Sequence, residues 1–199
     1  KETEKSTNDA NIILMDVQNN QKEDVVNAIL PKGLEVIDNI PIVTMRMHRI
    51  KDKLVNDIRK DSNSTMNRWI LNREFRATYR NELLASEELL EGTWIKQIGP
   101  DEPILISISD NIARDAGLKV GDKLVFNIQG VLMETAIGSI RKVNWGSMQL
   151  NFSILFPSGV LENAPQFNVL TTYVPDDASS ADLQRDLVKK FPNISILDI

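Results

Sequence analysis

The sequence contains no cysteine. Disulfide frameworks, thiolate metal sites and cysteine nucleophiles are therefore excluded, and the redox state of the compartment places no constraint on the chain. Histidine occurs once, at His48, so a Ser-His-Asp arrangement would have to be built on that residue, and no serine stands out as its partner. A G-x-S-x-G elbow is absent, since Gly146-Ser147 carries only part of one. There is no glycine-rich phosphate loop either: Gly117 and Gly121 suit a helix end and a turn, with no Lys-Ser/Thr after them. Positive charge is not in surplus. A net charge of −5 supplies no surface to track phosphates, so nucleic acid is not an expected partner. The nearest basic run, Arg46, His48, Arg49, Lys51 and Lys53, is diluted by Asp52 and Asp57 and reads as a solvated strand end. Long apolar runs and a signal peptide are also missing, and the first residue is Lys1; the chain reads as a fragment of a longer protein.

What is present is the composition of an ordinary folded domain. The 199 residues are 42% hydrophobic and 26% charged, enough to bury a core without the charge excess of a disordered chain. Residues 1–10 are polar and read as a tether. Asn11 to Val17 is a short apolar strand. A helix over Gln21 to Leu30 follows, with Val25, Val26, Ile29 and Leu30 on one face, ended by Pro31-Lys32-Gly33. Leu34 to Ile40 is extended again. Near the other end, Phe167 to Val174 is a strand. Ser180 is the expected N-cap of a helix whose buried face is Leu183, Leu187, Val188 and Phe191, and Ile194 to Ile199 closes the chain as a strand. Val26, Leu30 and Pro31 align with Leu187, Phe191 and Pro192 across a one-residue gap, so the two ends read as two copies of one strand–helix–strand unit.

The middle is β-rich. Val43, Met45 and Met47 alternate against Thr44, Arg46 and His48. In Arg73 to Arg80, Phe75, Ala77 and Tyr79 face in, while Glu74, Arg76, Thr78 and Arg80 face out. Asp61 to Ser64 reads as a loop tip, and Asn81 to Pro103 as irregular. Ile104 to Ile108 is a strand, Ser109 caps a helix that Gly117 ends, and Gln129-Gly130 turns Lys123–Ile128 into Val131–Val143. Leu150, Phe152, Ile154 and Phe156 alternate with Gln149, Asn151 and Ser153, the signature of a half-buried strand stopped at Pro157. The expected fold is α+β, with a discontinuous subdomain over 1–85 and 160–199 and an inserted β-rich subdomain over 86–159.

No catalytic, metal or cofactor site emerges. Glu87, Glu88 and Glu91 read as a solvated helix or turn face, and Asp176-Asp177 as a loop before a helix N-terminus. Trp94 and Trp145 carry two readings. Each can plug the seam between the subdomains, its N–H finding a partner. Alternatively, Trp145 and Met148 line a surface for a partner or an apolar cargo.

Five segments in order then resemble one family: Asn11 to Gln18, Pro41 to Arg46, Arg73 to Arg80, Ala116 to Asp122, and Asn144-Trp145 through Phe156-Pro157. Together they look like the large extracytoplasmic domain of FtsX/MacB/LolC-type ABC transporter permeases, with the YbbP-like branch nearest. Residues 51–66 match least. The resemblance implies a porter-like discontinuous subdomain with an inserted sabre-like one, lying in the periplasm as part of an inner-membrane protein. It further implies a cytoplasmic ABC ATPase as partner through membrane helices, a second permease copy, and a periplasmic partner or hydrophobic cargo such as lipids or lipoproteins. Such a domain transmits ATP-driven movement and is not itself an enzyme. The competing expectation is a periplasmic binding module that holds a hydrophobic ligand or a partner protein between its subdomains.

Overall fold

The computed structural model describes residues 10–146 and 150–199. In chain order the elements are β1 (Ile12–Gln18), α1 (Lys22–Ile29), β2 (Val36–Ile50), β3 (Lys53–Leu54), α2 (Val55–Lys60), α3 (Arg68–Asn72), β4 (Phe75–Tyr79) and β5 (Glu87–Gly92). There follow β6 (Leu105–Ser109), α4 (Asp110–Ala116), β7 (Lys123–Ile128), β8 (Val131–Val143), β9 (Ile154–Phe156), β10 (Phe167–Thr172), α5 (Asp177–Lys190) and β11 (Ser195–Asp198). The fold is α+β, as the sequence patterning requires. Contacts divide it into two units: one takes the chain up to Ile42 with Gln166–Ile199, the other Val43–Pro165. The division at 85/86 and 159/160 expected from sequence is therefore displaced. The reason lies in β2, which continues past Ile42 and pairs there with β4 and β7, so residues 43–85 belong with the β-rich unit.

In the first unit the strands lie in the order β11-β1-β10-β2, every neighbour antiparallel. The two strand–helix–strand units, β1-α1-β2 and β10-α5-β11, interleave, because each crossover skips the strand that the other unit inserts. This is the split βαβ arrangement. Ile12 and Leu14 of β1 pack with Leu170 of β10 against Val25 and Ile29 of α1 and Leu183 and Leu187 of α5. Leu30 and Val188, expected on the buried helix faces, are instead 50% and 55% exposed. Ser180 does not cap α5 as expected. The helix starts a turn earlier, with Asp176 accepting from Ser179 N–H at 2.7 Å, and Ser180 is buried, donating to Asp198 at 2.5 Å. Two side-chain bridges match the repeat: Gln21 and Asn193 exchange amide hydrogen bonds at 2.8 and 2.9 Å, and Lys32 reaches Asp182 and Asp186 at 2.7 and 2.6 Å.

In the second unit the strand pairing closes on itself. β2 pairs with β4, β4 with β9, β9 with β6, β6 with β8, β8 with β7, and β7 with β2 again. Two of the six pairings, β4–β9 and β6–β8, are parallel. Closure removes free edges and directs alternate side chains into one core. Val43, Met45 and Met47, Phe75 and Ala77, Ile106 and Ile108, Leu124 and Phe126, and Ile154 and Phe156 all belong to it. Three expectations change as a result. The strand over Leu150 to Phe156 is only Ile154–Phe156, and Leu155 is as buried as its neighbours, so β9 is covered on both faces and is not half-buried. Thr78, expected to face water, is 1% exposed. Within the stretch read as irregular, β5 pairs with the far half of β8.

Candidate functional site

The side chains with the most unusual environment lie where β5, β6 and β8 meet. β8 runs past β7 over Val131–Ala136 and then past β5 over Ser139–Val143. Gly138 stands at the change of neighbour. A side chain at Gly92, which has φ +79°, would collide with the Gly138 carbonyl at 2.1 Å, so glycine at 92 is a requirement of the close approach. In the half of β8 beside β5, Ile140 faces the core while Ser139, Arg141 and Val143 share the opposite face and are buried there, Arg141 fully.

A buried guanidinium must place its N–H groups on acceptors. Arg141 Nε donates to a carboxylate oxygen of Glu87 on β5. Nη1 donates to Ser107 O at 2.9 Å and Ser107 Oγ at 3.3 Å on β6, and Nη2 donates to Phe152 O just before β9. The other Glu87 oxygen accepts from Arg80 Nη2 and from Leu84 N–H at 3.3 Å, while Arg80 Nε holds Glu82 O at 3.0 Å. Burial pulls the pKa of both arginines below the ordinary value, and the Glu87 charge pulls it back. Arginine keeps its proton regardless. The cluster therefore holds one carboxylate between two cations, and it ties three strands and two loops together. Glu87, read from sequence as solvated, is 2% exposed; only Glu88 and Glu91 face water. No pattern in the sequence singled out Arg141, which stands between Ile140 and Lys142 on the face of β8 away from the core.

A second feature is an open cavity of about 960 Å³ formed by the β2–β3 turn, α2, the loop after it and the end of α4. Ile50, Ile58 and Ala116 form its buried apolar part. Arg49, Lys51, Lys53 and Arg114 line it together with Asp52, Asp57, Asp61 and Asp115. Much of this charge is committed: Lys51 Nζ donates to Gly117 O at 2.9 Å, and Asp115 accepts from Trp69 Nε1 at 2.9 Å. The balanced lining offers no continuous apolar wall for an acyl chain.

The remaining candidates fall apart from these features. Trp145 lies in the turn after β8, 49% exposed, while Met148 is outside the described residues. Trp94 donates its indole N–H to Asn81 O at 2.6 Å. His48 is the extra residue of a bulge where β2 pairs with β7. Asp176 is the helix cap already described. Among the described residues, no group of three His, Cys, Asp or Glu side chains could hold a metal ion, and no helix is long and apolar enough to cross a membrane.

No family profile matches the chain. Over 159 residues, 80% of its length, the chain is 28% identical to YbbP, an uncharacterized ABC transporter permease of Escherichia coli K12. It spans 18% of that permease. The permease resemblance carried by the sequence motifs is thus met by a curated permease, and the chain is permease-related. Among solved structures, a domain of a protein assigned as a permease in Porphyromonas gingivalis is similar with a TM-score of 0.41 and 13% identity, over 94% of this chain and 89% of that one.

Proposed function

We propose that the chain is the extracytoplasmic domain of an ABC transporter permease subunit, the first unit being porter-like and the second sabre-like. It transmits ATP-driven movement from a cytoplasmic ATPase, in the service of extracting or exporting lipids, lipoproteins or other hydrophobic compounds. The similarity to YbbP over four fifths of the chain carries this reading. The fold of the first unit agrees with it. Asn11 and Ile199 lie side by side, joined by the Ile199 N–H donating to Asn11 O at 2.9 Å, so segments leading from both would depart together toward two neighbouring membrane helices. A lever needs a rigid body and adjacent attachments, and no perturbed acid or base. The domain itself performs no catalysis in this reading.

Two measurements on the parent protein test it. Its translation should carry an apolar span of about 20 residues before Lys1 and another after Ile199. Alkaline phosphatase inserted in the exposed loop at Asp61–Ser64 of the full-length protein should be active, since that enzyme folds only outside the cytoplasm. Soluble flanks, or an inactive fusion, would overturn the reading. The ATPase should co-purify with the full-length permease in detergent.

A further inference from the structure

Residues 81–96 form an arm of the second unit with β5 at its centre, and several observations set it apart from the strands beneath. β5 pairs only with β8, across a bulge between Leu89 and Glu91, and its other edge has no partner strand among the described residues. Glu88, Leu89, Leu90 and Glu91 are exposed, so the arm gains little from apolar burial. The arm is also clasped to itself at its base: Trp94 holds Asn81 O at 2.6 Å, and Lys96 reaches Glu82 at 3.0 Å. That clasp does not depend on β5 lying against β8.

The contact between arm and barrel is imperfect at both ends. Ser86 Oγ and Ser139 Oγ are buried there without a hydrogen-bond partner. A buried hydroxyl with no partner is a penalty that opening removes by hydration. The one side chain β5 does bury is Glu87, and its departure would leave Arg80 and Arg141 facing an empty carboxylate position. Beside the arm, Leu90, Ala113, Leu118, Val120 and Ile140 line a groove of about 440 Å³.

We propose that β5 is a displaceable strap, and that the β8 edge it covers is the docking site for an extended acidic and apolar segment of a partner protein, whose carboxylate replaces Glu87 between Arg80 and Arg141. Strand addition supplies main-chain hydrogen bonds, and the pocketed side chains supply selectivity. Two guanidinium groups reward a carboxylate with charge-assisted bonds. A neutral or basic segment would leave buried cations unpaired and is rejected for that reason. An apolar residue two or three positions on would take the place of Leu90 over the groove.

Hydrogen exchange on the unaltered chain is the first test. The Thr93 N–H donates to Gly138 O at 3.1 Å and the Asn144 N–H to Ser86 O at 3.2 Å, and both bonds require a seated strap. The Ala136 N–H to Ile104 O and the Ile137 N–H to Asp122 O, both 2.9 Å, report the same strand without it. Thr93 and Asn144 are expected to exchange at least about tenfold faster than Ala136 and Ile137. Equal rates would mean that strap and barrel open as one, and would overturn the proposal. The second test weakens the strap from either end, by Glu87→Gln or, keeping the ion cluster intact, by Gly92→Ala. A synthetic peptide with the sequence of residues 84–94 should then slow Asn144 exchange about tenfold. The same peptide with glutamine in place of its Glu87 should not. Protection by both peptides, or by neither, would overturn the carboxylate-directed site, and a dimer that exchanges its own straps would overturn a separate partner.

Discussion

Arg141 donates its Nε–H to the carboxylate of Glu87, 54 residues earlier in the chain, and neither side chain reaches solvent. A buried ion pair is by itself weak evidence for stability, because removing both charges from water costs about as much as their attraction returns. Here the guanidinium has further duties. It also donates to the carbonyls of Ser107 and Phe152, two buried residues on separate elements.

Arg141→Met should therefore destabilise the second unit by about 3 kcal/mol, through the loss of its buried hydrogen bonds to Glu87, Ser107 and Phe152. Glu87 keeps Arg80 and is not orphaned. Arg141→Lys should recover less than half of the loss, since a single ammonium on a flexible stem cannot serve three acceptors on separate elements. Urea denaturation followed by tryptophan fluorescence reads both, and a wild-type midpoint in either variant would contradict the role assigned to Arg141.

The first unit should show a stability plateau with two shoulders. Asp176, held by the Ser179 N–H, and Asp182, held by Lys32, have pKa values below the usual 3.8, so their contribution is present above that value and is lost as pH falls through the lowered one. Lys32, between Asp182 and Asp186, has its pKa raised above 10.5, so its contribution is present below that value and is lost as pH rises through the raised one. Lys32→Met should abolish the alkaline shoulder and reduce the acid one, leaving the shares due to Asp176 and to Asp182 beside Arg185. Melting temperatures from pH 2 to 12 would show this, and an unchanged alkaline limb would disprove it.

Two glycines of nearly equal φ should respond unequally to alanine. Gly33, at φ +77°, has open space where a Cβ would go, so Gly33→Ala should cost only the left-handed backbone penalty, about 1 kcal/mol. Gly92, at φ +79°, meets the Gly138 carbonyl, and there the strand end must move. Gly92→Ala should release the Thr93 N–H to exchange while Ala136 stays protected; equal behaviour of the two variants would place the strain elsewhere.

Local chemistry made much of the fold legible. Gln129 and Gly130 both have positive φ, 52° and 98°, the geometry a two-residue hairpin turn demands, and the strands on either side begin and end where the patterning put them. Gly117 is left-handed at the end of α4, again as its position implied. Ser180 misled because Asp176, four residues earlier, is the better cap, and the helix simply extends to it.

The site was far less legible, for a physical reason. Glu87 lies in a run, Glu-Glu-Leu-Leu-Glu, with neither a helical nor a strand period, and its burial depends on Arg80 and Arg141, which come from distant elements. Closure of the barrel is likewise invisible along the chain: the second half of β2 alternates like an open strand, and only its pairing with both β4 and β7 seals the sheet.

Trp145 and Trp94 should part company on substitution. Trp145 is half exposed at a turn, so Trp145→Ala should leave the melting temperature of the chain within about 2 °C of the original. Trp94→Phe keeps the aromatic body and removes only the N–H that holds Asn81 O. It should leave the global melt nearly unchanged yet speed exchange in the arm, because the clasp at its base is lost. On the proposed function, with Trp145 serving a partner or cargo, Trp145→Ala in the full-length protein should impair transport without lowering its amount in the membrane. A drop in amount that matches the drop in transport would assign the indole to packing instead.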